Sequence, residues 1–420
     1  MEKYLNRVAD DILAKKLEAS GAVLIVGPKW CGKTSTGERY ARSVLYLQDP
    51  RQSEIYKRIA DVDPTLLLAG ETPRLIDEWQ MAPSLWDAIR FTIDQRKKEN
   101  QFILTGSTCV DWNSVSHSGT GRISRMLMRP MSLFESLDSS GVVSLKALFD
   151  KEKKIQGSSN HSISDLAKLI IRGGWPSSIG KSDTVALQKA IDYVESIIQI
   201  DISRENGVEK NPVLVRAFMK SYARNLATMA SIPTLQKDIV GYDETLSDKT
   251  IASYIQSLRN LFVIEDLPAW SPALRSKTSM RTSLKRFFVD PSIGTALFRM
   301  TPGKLMEDFN YFGYLFESLC IRDLRVYASA LDGEVFHYHD RNDVEVDAVV
   351  CLNDGRWGAI EIKLGTSEIE KGVNHLLKLA DMVDTEKMSE PSFLMVLTGT
   401  GYAFTQKDGI IVVPIGCLKD

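Results

Sequence analysis

The sequence predicts an α/β chain: a parallel-sheet domain at the start, a helical and winged-helix middle, and a second α/β domain at the end. Three observations carry this reading. A five-residue apolar run, Ala22 to Val26, flows into a glycine-punctuated loop. Apolar residues then recur at helical spacing across the middle of the chain, and the last third contains a helix followed by two alternating apolar and polar runs around a turn. The expected boundaries are residues 1–155, 156–211 as a helical lid or linker, 212–295 as the winged helix, and 296–420.

The first element carries the strongest chemical signal. Gly27-Pro28-Lys29-Trp30-Cys31-Gly32-Lys33-Thr34 has the spacing GxxxxGK[ST] directly after an apolar run that reads as a buried parallel strand. Glycines let backbone amides turn inward around phosphates, the lysine reaches the terminal phosphates, and the threonine hydroxyl can ligate magnesium. The expected nucleotide-binding set is Gly27, Pro28, Lys29, Trp30, Cys31, Gly32, Lys33, Thr34 and Ser35, with Mg2+ on Thr34.

A second strand, Arg74 to Asp77, ends in adjacent acids. Asp77 is the candidate metal-side carboxylate. Glu78 suits a catalytic base that orients and deprotonates water, which favours ATP over GTP. A third strand, Phe102 to Leu104, runs into Thr105-Gly106-Ser107, where the Ser107 hydroxyl could sense a terminal phosphate or simply close a turn. Arg122 and Arg125 follow as candidates for stabilising transferred charge, in the same chain or across subunits. The second case implies a homo-oligomer.

Composition is that of an ordinary globular chain, with 44% apolar and 25% charged residues. With 52 basic against 54 acidic residues, global charge neither demands nor excludes nucleic acid. Five scattered cysteines without a CxxC pair argue against a disulfide framework or structural zinc. No leader opens the chain and no apolar stretch approaches about eighteen residues. The expectation is a cytoplasmic protein without a membrane partner.

The middle reads as helices at Leu166–Ile171 and Val185–Ile202, separated by Gly173-Gly174-Trp175-Pro176, with Gln156 to Ser162 as a linker before them. Helices from Val213, after Ser231 and after Ser247 follow in winged helix-turn-helix order. Arg275, Lys277, Arg281, Lys285 and Arg286 then fall in a stretch without an acidic residue. They are expected either to contact DNA phosphates from a wing, or to be a solvated face or a contact between domains.

In the last third, Phe316, Leu319, Cys320, Leu324 and Tyr327 mark a helix that carries Glu317. Glu345–Leu352 and Trp357–Leu364 form a hairpin around Asn353-Asp354-Gly355. With a three-residue loop, Asp347 lies opposite Glu361, and Asp347, Glu361 and Lys363 share one face. Two carboxylates and a lysine, with Glu317 nearby, could bind magnesium for phosphodiester cleavage or form a surface salt bridge on a half-exposed sheet.

These motifs, with His117 to Arg122, Arg129 to Glu135, Gly173 to Pro176, Lys285 to Asp290 and Gly313 to Glu317, resemble a widespread prokaryotic family of AAA-type ATPases. Its members pair an N-terminal ATPase with a C-terminal domain of unknown function. The resemblance implies a P-loop ATPase core, a winged helix and a fold like the PD-(D/E)xK nucleases. There Asp347, Glu361 and Lys363 match the D…ExK residues, Glu317 matches a helix glutamate, and Val346 stands where the pattern has proline. The expected function is Mg2+-dependent ATP hydrolysis whose nucleotide state controls a DNA-binding half with a candidate cleavage site. The alternatives are an ATP-dependent DNA-binding switch that does not cut, and a protein-protein regulatory or assembly ATPase.

Overall fold

A computed structural model describes residues 4–107, 118–151, 155–205, 210–239, 247–273 and 283–420. The chain divides into two compact units, Met1–Arg129 with Asn260–Phe262, and Pro130–Arg259 with Val263–Asp420. It is an α/β chain, as expected.

In the first unit the order is α1 (Val8–Ala19), β1 (Ala22–Val26), α2 (Lys33–Tyr40), β2 (Ser43–Tyr46), α3 (Ser53–Val62), β3 (Arg74–Asp77), α4 (Leu85–Arg96), β4 (Phe102–Gly106) and β5 (Ile123–Leu127). The strands make a parallel sheet in the order β2-β3-β4-β1-β5. Strand β1 is apolar throughout because both of its faces are covered. Ala22 and Leu24 pack with Trp79, Trp86 and Ile89, whereas Val23 and Ile25 pack with Leu13, Leu17, Leu75 and Ile103. Because the strands are parallel, β1 and β3 present their carboxyl ends at one edge, and the phosphate loop and the Asp77-Glu78 pair meet there.

The second unit opens with β6 (Val143–Ser144), α5 (Leu145–Phe149) and β7 (Gly157–Ser159). The stretch read as a linker is therefore an edge strand, paired antiparallel to a distant one, and Ser162 caps the next helix. Helices α6 (Ile163–Arg172), α7 (Asp183–Ser196), α8 (Ile202–Arg204), α9 (Pro212–Arg224), α10 (Ile232–Lys237), α11 (Asp248–Asn260), α12 (Ser292–Leu297), α13 (Pro302–Met306) and α14 (Phe309–Ala330) follow. The remainder is β8 (Gly333–His339), β9 (Glu345–Leu352), β10 (Trp357–Lys363), α15 (Ile369–Met382), β11 (Leu394–Thr398), β12 (Gly401–Thr405), β13 (Ile411–Pro414) and β14 (Leu418–Lys419). The large sheet runs β7-β12-β13-β11-β10-β9-β8.

Helices α9 to α11 are followed by two antiparallel arms that bridge at Ile264 with Phe288 and at Leu267 with Lys285. The arms are tied into the unit. The Trp270 amide donates to the His337 carbonyl at 2.6 Å, and the His337 amide donates to the Pro268 carbonyl at 2.9 Å, which joins the first arm to β8.

Several of the sequence signatures meet in one buried polar knot. Arg322 on α14 contacts Asp290 at 2.9 Å and Asp323 at 2.7 Å. The Leu133 amide donates to Asp323 and the Gly174 amide to Asp290, each at 2.9 Å. A Cβ on Gly174 would lie 2.2 Å from the Met131 carbonyl oxygen, so only glycine lets these segments approach. All three charged side chains of the knot are buried, and each has a partner, which is what their desolvation requires.

Candidate functional site

The phosphate loop is shaped by backbone that only glycine tolerates. Gly27 has φ +150°, and a Cβ there would meet the Met128 carbonyl oxygen at 2.1 Å. Gly32, at φ +102°, starts α2 at Lys33, so the helix amino end faces the loop. The Lys33 ammonium is folded back into the loop, donating to the carbonyls of Gly27 at 2.9 Å and Pro28 at 2.8 Å. Cys31 is buried with its thiol toward the Met128 carbonyl, whereas Trp30 in the loop and Ser35 in the first turn of α2 are exposed.

A buried carboxylate lies beside it. Thr34 Oγ1 donates to Asp77 Oδ1 at 2.7 Å, Thr105 Oγ1 donates to the same oxygen at 2.7 Å, and Gln48 Nε2 donates to Oδ2 at 2.9 Å. All of these partners are neutral. A hydroxyl and a carboxylate side by side, both hard oxygen donors, fit a magnesium ion that takes its remaining ligands from phosphate and water. The adjacent Glu78 has left-handed backbone, φ 55° and ψ 49°, and its amide donates to Thr105 Oγ1 at 3.1 Å. Ser107 Oγ donates to Glu78 Oε2 at 3.3 Å, and Gln80 Nε2 donates to the same oxygen. Ser107 thus holds the candidate base.

Sequence reasoning missed the supports: Gln48, Gln80, Thr105 and Arg7. Arg7 is buried and donates to the carbonyls of Cys31 and Arg129, each at 2.8 Å, bracing the loop. Thr105 lay in a motif already singled out; Arg7 and Gln48 are far away in sequence and carry no local signal.

The arginine candidates fall elsewhere in this unit. The Ala22 amide donates to the Arg122 carbonyl at 3.0 Å, which puts Arg122 at the amino end of β1. The phosphate loop leaves the opposite end, about 16 Å away at strand rise. Arg122 pairs with Asp94 at 2.8 Å. That corrects the reading of Arg122 as a charge stabiliser within its own site. Arg125 lies opposite Leu24 in the middle of the edge strand β5, with its guanidinium 6.0 Å above the Trp86 ring.

The hairpin of the second unit has the expected register. The Leu352 amide donates to the Arg356 carbonyl at 2.8 Å around the three-residue turn, and Ile360 faces Ala348. The next pair in that register is Glu361 with Asp347. The carboxylate face is not half exposed: Val349, Trp357 and Ala359 on it are buried against Val373, Leu376 and Leu379 of α15. Lys363 Nζ lies 2.5 Å from Glu361 and 3.3 Å from Asp347, and His375 Nδ1 lies 3.4 Å from Glu361.

The basic run departs from its expected role. Arg275, Lys277 and Arg281 lie outside the described residues. Lys285 and Arg286 are buried, which corrects their assignment to an exposed DNA-binding wing. Arg286 pairs with Asp266 at 2.9 Å and donates to the Ala230 carbonyl at 3.0 Å. Lys285 points into the acidic centre, with Nζ 2.8 Å from Glu317, 3.0 Å from Glu345 and 3.4 Å from Asp347.

These contacts set the charge states. Burial pushes the Glu317 carboxyl up to about 8, more than Lys285 can offset. Burial, with Asp347 close by, also raises Glu361. Burial alone would raise Asp347 too, but two ammonium groups and the Ile362 amide outweigh it and hold its carboxyl below the usual range. The carboxylates around Lys285 raise its ammonium well above the ordinary value despite burial. A divalent ion does not fit this arrangement. Asp347 Oδ1 is taken by Lys285, and Oδ2 by the Ile362 amide at 2.8 Å and by Lys363. Among the described residues, no group of three or more His, Cys, Asp or Glu is set to hold a metal ion.

An AAA domain model matches residues 19–137, and two domains of unknown function match residues 163–304 (DUF8612) and 312–418 (DUF4143). Uncharacterized proteins of Mycobacterium tuberculosis and Mycobacterium bovis are each 23% identical over 357 residues, spanning 84% of this chain and 72% of theirs. Among solved structures, a Walker-type ATPase of Pyrococcus abyssi superposes with a TM-score of 0.44 at 13% identity, over 71% of this chain and 97% of that one. AMPPCP-bound DnaA from Aquifex aeolicus gives 0.28 at 13% identity, over 62% and 89%. The N-terminal unit is an ATPase-like P-loop domain. Among the described residues no helix is long and apolar enough to cross a membrane.

Proposed function

We propose that the chain binds ATP with Mg2+ and hydrolyses it at the edge where β1 and β3 end, and that the second unit responds to nucleotide without cutting DNA. The observation that carries the first part is the contact of Thr34 with Asp77 at 2.7 Å, with Glu78 on the next residue. Thr34 and Asp77 would hold the metal, which when bound neutralises charge on the phosphates. The Lys33 ammonium exchanges two loop carbonyls for phosphate oxygens, and the loop amides bind the rest of the phosphate chain.

Glu78 acts as the base. Ser107 and Gln80 engage its Oε2, so the water's proton goes to Oε1. An arginine of a second copy remains the proposed source of positive charge on the transferred group. DNA contact by the basic run rests on Arg275, Lys277 and Arg281.

The test measures phosphate release from ATP and GTP, with and without duplex and single-stranded DNA, for the parent and Glu78→Gln. ATP turnover that Glu78→Gln abolishes while ATP binding persists supports the reading. A chain that neither binds nor splits ATP with divalent cations present sinks it. Salt-sensitive DNA affinity that falls when Arg281 is changed supports the DNA-switch form, and its absence together with nucleotide-dependent oligomers supports an assembly ATPase.

A further inference from the structure

We infer that Lys285 is the resident cation of the acidic centre in the second unit, standing where carboxylates from a helix and a hairpin would otherwise gather a divalent ion. One ammonium meets Glu317 from α14 and Glu345 and Asp347 from β9 at 2.8, 3.0 and 3.4 Å. A cation ringed by three carboxyl groups from two elements is arranged as a bound ion is. Its longer contacts are those of N–H donors rather than of a metal, which sits near 2.0 to 2.1 Å as magnesium.

The side chain is delivered there by its backbone. The Lys285 amide donates to the Leu267 carbonyl at 3.0 Å, and the Leu267 amide returns a bond to the Lys285 carbonyl at 2.8 Å. The neighbouring Arg286 is anchored by Asp266 and the Ala230 carbonyl. With its main chain fixed on both sides and only 3% of its side chain exposed, Lys285 cannot swing into water to admit an ion. An incoming cation would have to expel a buried ammonium and also compete with Lys363 for Asp347. Lysine thus does electrostatically what a metal would do, and it fastens the second arm to the sheet and to α14 at the same point.

The prediction is a site gained by deletion. Without Lys285, three carboxyl groups with oxygen lone pairs converge on a space the ammonium filled, and a divalent ion that displaces the Glu317 proton would restore the positive charge there. The experiment uses the full chain without nucleotide and counts bound Mn2+ by the loss of its free electron paramagnetic resonance signal. It compares the parent, Lys285→Met, Lys285→Arg, Asp347→Asn and the Lys285→Met/Asp347→Asn double variant. The phosphate-loop acids are common to all five, so any ion they bind cancels.

Lys285→Met is expected to bind one more Mn2+ per chain than the parent, to lose it again in the double variant, and to melt at a higher temperature with Mn2+ than without. Lys285→Arg and Asp347→Asn are expected to match the parent. A folded Lys285→Met that gains no ion overturns the inference. So does a parent that loses one ion per chain on Asp347→Asn. Should Lys285→Met not fold, the parent and Asp347→Asn decide between them: equal Mn2+ supports the inference and a drop of one ion refutes it. None of these readouts involves ATP turnover, so they stand or fall separately from the proposed ATPase.

Discussion

Asp77 and Asp347 are both buried aspartates on strands, yet their surroundings lead to opposite chemistry. Asp77 accepts from two hydroxyls and one amide, all neutral. Asp347 accepts from two ammonium groups and a backbone amide. Neutral donors solvate a carboxylate and leave its charge available to an arriving cation, whereas ammonium donors cancel it. The teaching is that a pattern of acids does not define a metal site; the charge of what already touches them does.

The largest expected effect tests the open half of that contrast. Glu78→Gln keeps the contacts' shape but removes the base, and ATP turnover should fall by about 100-fold or more, measured as steady-state phosphate release beside unchanged nucleotide binding. The comparison breaks if turnover survives.

Next, Asp347→Ala leaves the buried Lys285 and the half-buried Lys363 each short of a partner and should destabilise the second unit by roughly 3 kcal/mol, read from urea unfolding. A negligible loss would mean that the ammonium groups do not depend on this carboxylate.

Third, Thr105→Val deletes the hydroxyl that holds both Asp77 and the Glu78 backbone. The Mg2+ concentration for half-maximal ATP turnover should rise by about 10-fold. An unchanged requirement would sever Thr105 from the site.

The smallest effect concerns acidity. Because folding raises the Glu317 carboxyl to about 8 from an ordinary 4.5, the folded state favours the protonated form, and stability falls as pH rises from about 5 through about 8. Asp347 runs the other way: its lowered carboxyl contributes above the ordinary range and is lost on acidification. Glu317→Gln should flatten the decline in melting temperature between pH 5 and 8, and a parallel curve would show that Glu317 is not the group responsible.

Much of this was legible in the chain because it is local. Gly27 to Thr34 encode a loop through spacing and backbone freedom, and Asn353-Asp354-Gly355 fixes a register that brings Asp347 to Glu361. Asp77, Glu78, Asp347 and Glu361 were visible for the same reason, whereas Glu345 was read only as the start of a strand. What was not legible was the company they keep. Lys285 was grouped with its basic neighbours, although the apolar Phe287-Phe288-Val289 that follow already hinted at a buried strand, and Arg122 was placed near the phosphates by proximity in sequence.

The sequence by itself determined the phosphate loop, the strand-end acids and the hairpin face, because each depends on dihedral preference and on the two-residue strand period over a few positions. Only the tertiary structure decided that Arg122 sits at the far end of the sheet and that Lys285 fills the centre between Glu317, Glu345 and Asp347. Electrostatic partnership depends on distances between residues tens of positions apart, and no local pattern specifies those.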